Sequence, residues 1–110
     1  MAVPVLQALR AAFPNARLRG FDPIVNSEQI EAMGLMYCPT LDSAFEGASL
    51  VIIANNHPLY AEMPVDVLAQ KMAPPGLIFD FWNNFSARDI ALPVGTGYIA
   101  LGARGIGRPP

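Results

Sequence analysis

Three apolar runs, each breaking off at polar punctuation and separated by helix-like segments, constrain this chain more than any other feature. They cover residues 16–21 before Asp22-Pro23, 49–54 before Asn55-Asn56-His57-Pro58, and 76–79 before Asp80-Phe81-Trp82-Asn83. Near-continuous apolar strands alternating with helices are the pattern of buried parallel strands whose crossover helices cover both faces of the sheet. Ligands of such open sheets bind beyond the carboxyl ends of the strands. The runs therefore predict an architecture and the edge on which a site would lie.

The intervening segments fit that reading. Val5, Leu6, Leu9, Ala12 and Phe13 make the stripe of an amphipathic helix over 3–13, with Pro4 in its first turn and Pro14-Asn15 at its end. Ser27 and Glu28 open a short helix that Gly34 closes. A short strand over 35–38 precedes a helix over 41–46 capped by Thr40 or Asp42. Pro64 starts a helix that places Val65, Leu68, Ala69 and Met72 on one face, and Pro74-Pro75-Gly76 ends it. Residues 86–90 suggest a helical turn, 98–102 a last strand and 103–110 a flexible tail. The alternation predicts one α/β domain over 1–110, three-layered (α/β/α) and Rossmann-like, with a mainly parallel sheet. The chain opens on a helix, whereas a doubly wound sheet opens on a strand that lies at its centre.

Composition narrows the function classes. With 53% hydrophobic and 15% charged residues, the 110-residue chain is too apolar for disorder and apolar enough to offer a partner a surface. No run approaches the roughly 20 apolar residues of a spanning helix, and residues 1–13 lack the marks of a secretory signal. A net charge of -2 gives no electrostatic case for nucleic acid. Cys38 is the one cysteine and His57 the one histidine, which argues against a disulfide or a zinc site and for a reducing cytoplasm. Cys38 reads as a buried structural thiol, since no base stands near it in sequence.

Asp80, Trp82 and Asn83 lie just past the third run, where side chains reach a ligand. An indole offers a stacking face for a uracil or sugar ring, and an asparagine amide pairs with hydroxyls or base edges. The plainer alternative is that Asp80 caps a turn and Trp82 packs beneath the following helix. His57 stands at the corresponding end of the second run, and Tyr60 shares its loop. A histidine there either meets a substrate, cofactor or neighbouring domain, or fixes its own loop. Asp22 sits where dinucleotide-binding folds place a ribose-binding carboxylate, but Pro23 follows directly and makes a turn the better reading. The glycines of 102–107 do not open a helix and belong with the tail.

Four segments in order resemble the carboxyl-terminal domain of the UDP-glucose/GDP-mannose dehydrogenases. Phe21-Asp22-Pro23-Ile24-Val25 is similar to that family's strand end Tyr/Phe-Asp-Pro. Residues 48–57, ending in Ile53-Ala54-Asn55-Asn56-His57, resemble its strand that closes on a histidine. Leu77-Ile78-Phe79-Asp80-Phe81-Trp82-Asn83 resembles its strand ending Asp-x-x-Asn, and Tyr98-Ile99-Ala100-Leu101-Gly102 its closing segment. The resemblance implies an enzyme of three parts: an NAD-binding Rossmann domain, a central helical region carrying dimer contacts, and a lobe, represented here, that closes over the UDP or GDP of a nucleotide sugar. The implied reaction oxidises the sugar C6 hydroxyl to a carboxylate with two NAD, through a cysteine nucleophile in another domain. Asp80, Trp82, Asn83, His57 and Tyr60 become the expected substrate-binding residues, with UDP favoured over GDP and no catalytic or metal-binding residue in this chain.

The chain departs from the family pattern in lacking a G-x-G-x-x-G fingerprint, a glycine-rich segment around a cysteine, and the domain's first, central strand with the arginine-containing loop after it. It is therefore expected to be a truncated lobe without dehydrogenase activity of its own. Each buried backbone hydrogen bond left unmade costs on the order of 1–3 kcal/mol. Alone, the chain should be unstable, rearrange, or pair with a second copy or the remaining domains of the enzyme, as a homo-oligomer would. Two other readings stay open: a non-catalytic α/β dimerisation module, and an unrelated Rossmann-like NAD-binding domain.

Overall fold

Apolar side chains at Val5, Leu6 and Leu9 recur at helical spacing, and Ala2–Ala12 form helix α1 with those three half-buried and their neighbours exposed. The computed structural model describes residues 2–55, 57–82, 84–85 and 90–100, and divides the chain into two compact units, Met1–Ala44 and Phe45–Pro110. Phe13, expected on the buried stripe, lies beyond the end of α1 and is 54% exposed.

In the first unit, strand β1 (Arg19–Gly20) pairs in parallel with β2 (Met36–Tyr37) across helix α2 (Ser27–Ala32). β1 and β2 are shorter than the run over 16–21 and the strand expected over 35–38. Ser27 opens α2 as expected, and Asn26 caps it. Its Oδ1 accepts from Gln29 N at 2.9 Å while Gln29 Oε1 accepts from Asn26 N at 3.2 Å, a reciprocal box that satisfies two otherwise orphaned donors. Ile30 and Cys38 are buried, as expected for the thiol.

Gly34 ends α2 with φ +82°, a left-handed conformation that costs an L-residue about 1–2 kcal/mol. A Cβ there would also run into the guanidinium of Arg10, which donates to the Met33 carbonyl at the end of α2. Gly34→Ala is therefore expected to lower stability by about 1–2 kcal/mol, measured as an earlier urea midpoint with an unchanged slope.

The second unit holds a three-stranded sheet in the order β3 (Leu50–Ile53), β4 (Gly76–Asp80), β5 (Thr96–Ala100), every pairing parallel. The expected α/β class and parallel sheet hold, with the strands grouped as two sheets, of two and three strands. Helix α3 (Leu41–Phe45) stands at the division of the units, and Thr40 is its cap: Oγ1 accepts from Ser43 N at 3.1 Å. Helix α5 (Val65–Leu68) continues as a 3-10 turn through Lys71 and buries Val65, Leu68, Ala69 and Met72, the face its spacing predicted.

A further helix, α4 (Pro58–Glu62), occupies the segment after His57, where a loop is expected from the sequence. Pro58 opens this helix as well as ending the apolar run, because proline at a first helical position lacks only an N–H that has no helical partner anyway. Residues 86–89 and 101–110, including the expected turn and tail, lie outside the described residues. No described helix is long and apolar enough to cross a membrane.

Candidate functional site

β4 is the central strand of its sheet, and Asp80 is its last residue, paired with Ile53 on one side and Ala100 on the other. Alternation along a strand puts Ile78 and Asp80 on one face, with Tyr98 and Ala100 beside them on β5. Asp80 is fully buried among these apolar neighbours. Such a carboxylate persists only if its oxygens are hydrogen-bonded. Oδ1 accepts from Trp82 N at 2.9 Å and from Asn84 Nδ2 at 2.8 Å. Oδ2 accepts from Asn84 N and from the Tyr98 hydroxyl at 2.8 Å. The carboxylate thus fixes the loop leaving β4, the turn-capping role that sequence allowed it.

That loop is tied to the one leaving β3. Phe81 N donates to Ile53 O at 3.0 Å, Trp82 Nε1 to Ala54 O at 3.0 Å, and Asn84 Nδ2 to Asn55 O at 3.4 Å. Trp82 keeps 46% of its surface exposed, so it does not lie packed beneath a helix. Because its one polar hydrogen is engaged with Ala54, what the indole can offer a ligand is its π face.

His57 caps α4. Its Nδ1 accepts from Leu59 N at 3.1 Å, which puts the proton of the neutral ring on Nε2, and its backbone N–H donates to Asn55 Oδ1 at 3.3 Å. Tyr60 is buried inside α4, its ring 6.3 Å from that of His57 in an edge-to-face arrangement. Of the five residues expected to bind substrate, Asp80 and Trp82 stand at the end of β4, His57 follows β3, and Tyr60 packs behind it. Asn83 lies outside the described residues. Asn84 and Tyr98, the side chains that hold Asp80, were not among the expected site residues. The signal for Asn84 was its spacing of four from Asp80, within reach of one turn.

Burial first, then the hydrogen bond from its hydroxyl to Asp80 and the nearby charge, push the Tyr98 phenol well above the ordinary tyrosine range. The folded chain therefore keeps this proton where the unfolded chain releases it. The corresponding stabilisation is complete below about pH 10, the unfolded tyrosine value, and is lost as pH rises beyond it. Unfolding midpoints recorded between about pH 8 and pH 11 should fall at the alkaline end, and Tyr98→Phe should flatten that fall.

The described residues do not fit a dinucleotide. Asp22, the carboxylate after β1, accepts from Ile24 N at 2.8 Å and Val25 N at 2.9 Å through Oδ1, making the expected turn. No glycine fingerprint stands between a strand and a helix to cradle a pyrophosphate. Among the described residues no cluster of acidic, histidine and cysteine side chains could hold a metal ion.

Residues 1–87 match a protein-family model described as the UDP-glucose/GDP-mannose dehydrogenase family, UDP binding domain. Three of the four segments that carried the resemblance fall inside the match, and the closing one at 98–102 falls beyond it. No curated protein matches the chain.

Proposed function

We propose, from the premise that this chain belongs to the UDP-glucose/GDP-mannose dehydrogenase family as its UDP-binding domain, that UDP of a nucleotide sugar lodges at the carboxyl edge of the β3–β4–β5 sheet. The observation that carries this placement is Trp82, a half-exposed indole pinned to Ala54 at the end of parallel strands. Its face stacks on uracil, and the polar groups of the two adjoining loops serve the ribose and diphosphate. His57, with its ring proton on Nε2, is a donor of that kind, and Asn83 follows Trp82 in the same loop. Asp80 and Tyr60 serve from behind, by fixing these two loops.

The complete enzyme oxidises the C6 hydroxyl of the sugar with NAD. NAD and the nucleophile belong to other parts of that enzyme, so the 110-residue chain alone lacks dehydrogenase activity. Calorimetric titration with UDP tests the placement. Saturable uptake at sub-millimolar concentration is expected, and heats indistinguishable from dilution would overturn it.

The outer edge of β3 bears on partners. Odd-numbered residues along 49–53 bond to β4, as Leu77 N to Ser49 O and Phe81 N to Ile53 O show, so the amides of Leu50 and Ile52 point to the side on which β3 pairs with no described strand. Such an edge recruits another strand. In the enzyme the remaining domains supply one, and in the isolated chain a second copy does. Sedimentation at increasing concentration is expected to show a rise above the monomer mass, against which a concentration-independent monomer would count.

A further inference from the structure

The loop that carries Trp82 is held from β5, a strand that takes no part in the proposed ligand contacts. Tyr98 reaches it twice. Its hydroxyl donates to Asp80 Oδ2 at 2.8 Å, at the start of the loop, and its ring lies 5.8 Å from the ring of Phe85 at the loop's far end. Phe85 is itself buried, so both ends of residues 81–85 are anchored against one side chain. From Asp80 the bonds run to Trp82 N, to Asn84, and through Asn84 Nδ2 to the carbonyl of Asn55 after β3. The result is one hydrogen-bonded line from the middle of β5 to the loops that leave β4 and β3.

We propose that Tyr98 is a positioning residue for nucleotide binding: by donating to Asp80 it sets the angle at which Trp82 is presented, so that β5 tunes affinity without touching the ligand. This rests on the reading of Trp82 as the uracil-stacking face. The Tyr98 hydroxyl is the donor to this carboxylate that comes from outside the loop; without it only Trp82 N, Asn84 N and Asn84 Nδ2, which move with the loop, hold Asp80, and the orientation of Trp82 is less firmly set. The raised affinity of the phenol for its proton keeps that donor in place beyond the pH at which a free tyrosine ionises.

Trp82 is the one tryptophan of the chain, so its emission reports the loop directly, with or without ligand. The experiment compares the unaltered chain, Tyr98→Phe and Ile99→Ala, the last an outward-facing neighbour on β5 that is 47% exposed. Each is measured for thermal midpoint, Trp82 emission and acrylamide quenching, and UDP titration. Loss of one loop-fixing hydrogen bond is expected to weaken UDP binding about fivefold in Tyr98→Phe, with Trp82 more readily quenched. Ile99→Ala should leave both readouts unchanged even if its midpoint falls, which separates positioning from simple destabilisation.

Trp82 emission and UDP affinity equal to those of the unaltered chain in Tyr98→Phe would overturn the proposal. If the unaltered chain takes up no UDP, the placement of the nucleotide falls, and the quenching comparison alone decides whether Tyr98 sets the loop. Should Tyr98→Phe fail to fold, Asn84→Ala removes a side-chain donor from the same carboxylate and is read by the same emission, an unmoved spectrum again counting against the proposal.

Discussion

Asp80→Ala is expected to destabilise the chain by about 3 kcal/mol, the largest stability effect of any substitution considered. Four donors lose their acceptor at once: Trp82 N, Asn84 N, Asn84 Nδ2 and the Tyr98 hydroxyl. A buried donor left unpaired costs about 1–3 kcal/mol. The sum is held down by two opposing effects, since the loop amides gain access to water and the desolvation penalty of the carboxylate disappears with it. Against a total of roughly 5–15 kcal/mol, such a loss moves a urea midpoint far outside error.

Asp80→Asn separates shape from charge. Its amide retains one acceptor but turns an N–H₂ toward the donors on the other oxygen, where the Tyr98 hydroxyl can rotate to accept and Asn84 N cannot. An intermediate midpoint is therefore expected, between that of Asp80→Ala and that of the unaltered chain. Equal midpoints for all three would show that the four bonds contribute nothing net.

The strands of the second unit were legible because a buried parallel strand needs apolar side chains on both faces, and residues 50–53 and 76–79 carry little else. Helix α5 was legible for the complementary reason, that Val65, Leu68, Ala69 and Met72 fall on one face at helical spacing. Helix α4 was not, since Pro58 reads equally as a stop or a start and only the cap at His57 decides between them. The candidate site was half legible. Trp82 and Asp80 announce themselves by residue type at a strand end. Their partners, however, are the carbonyls of Ala54 and Asn55, which every residue possesses and no sequence marks, and a tyrosine eighteen positions away that pairing with β4 brings alongside. The same limit hid the division into two units, because where strands find neighbours depends on hydrogen bonding across the sheet rather than on the composition of any run.

Trp82→Ala is expected to weaken UDP binding by roughly tenfold to a hundredfold, the range that follows from about 1–3 kcal/mol for one base stacked on an aromatic ring. Stability should fall by less than in Asp80→Ala, because nearly half of the indole is already in water, although its buried part and its hydrogen bond to Ala54 O are lost. Trp82→Phe distinguishes the two jobs of this side chain. A phenyl ring retains a stacking face but has no N–H, so near-complete recovery of affinity would assign the energy to the face, whereas affinity as weak as that of Trp82→Ala would assign it to the bond that holds the ring in place. Since both variants remove the chain's tryptophan, calorimetry rather than emission is the measurement. UDP binding unchanged in Trp82→Ala would remove the nucleotide from the end of β4, and with it the reason for the carboxylate, the asparagine and the tyrosine to hold that loop so firmly.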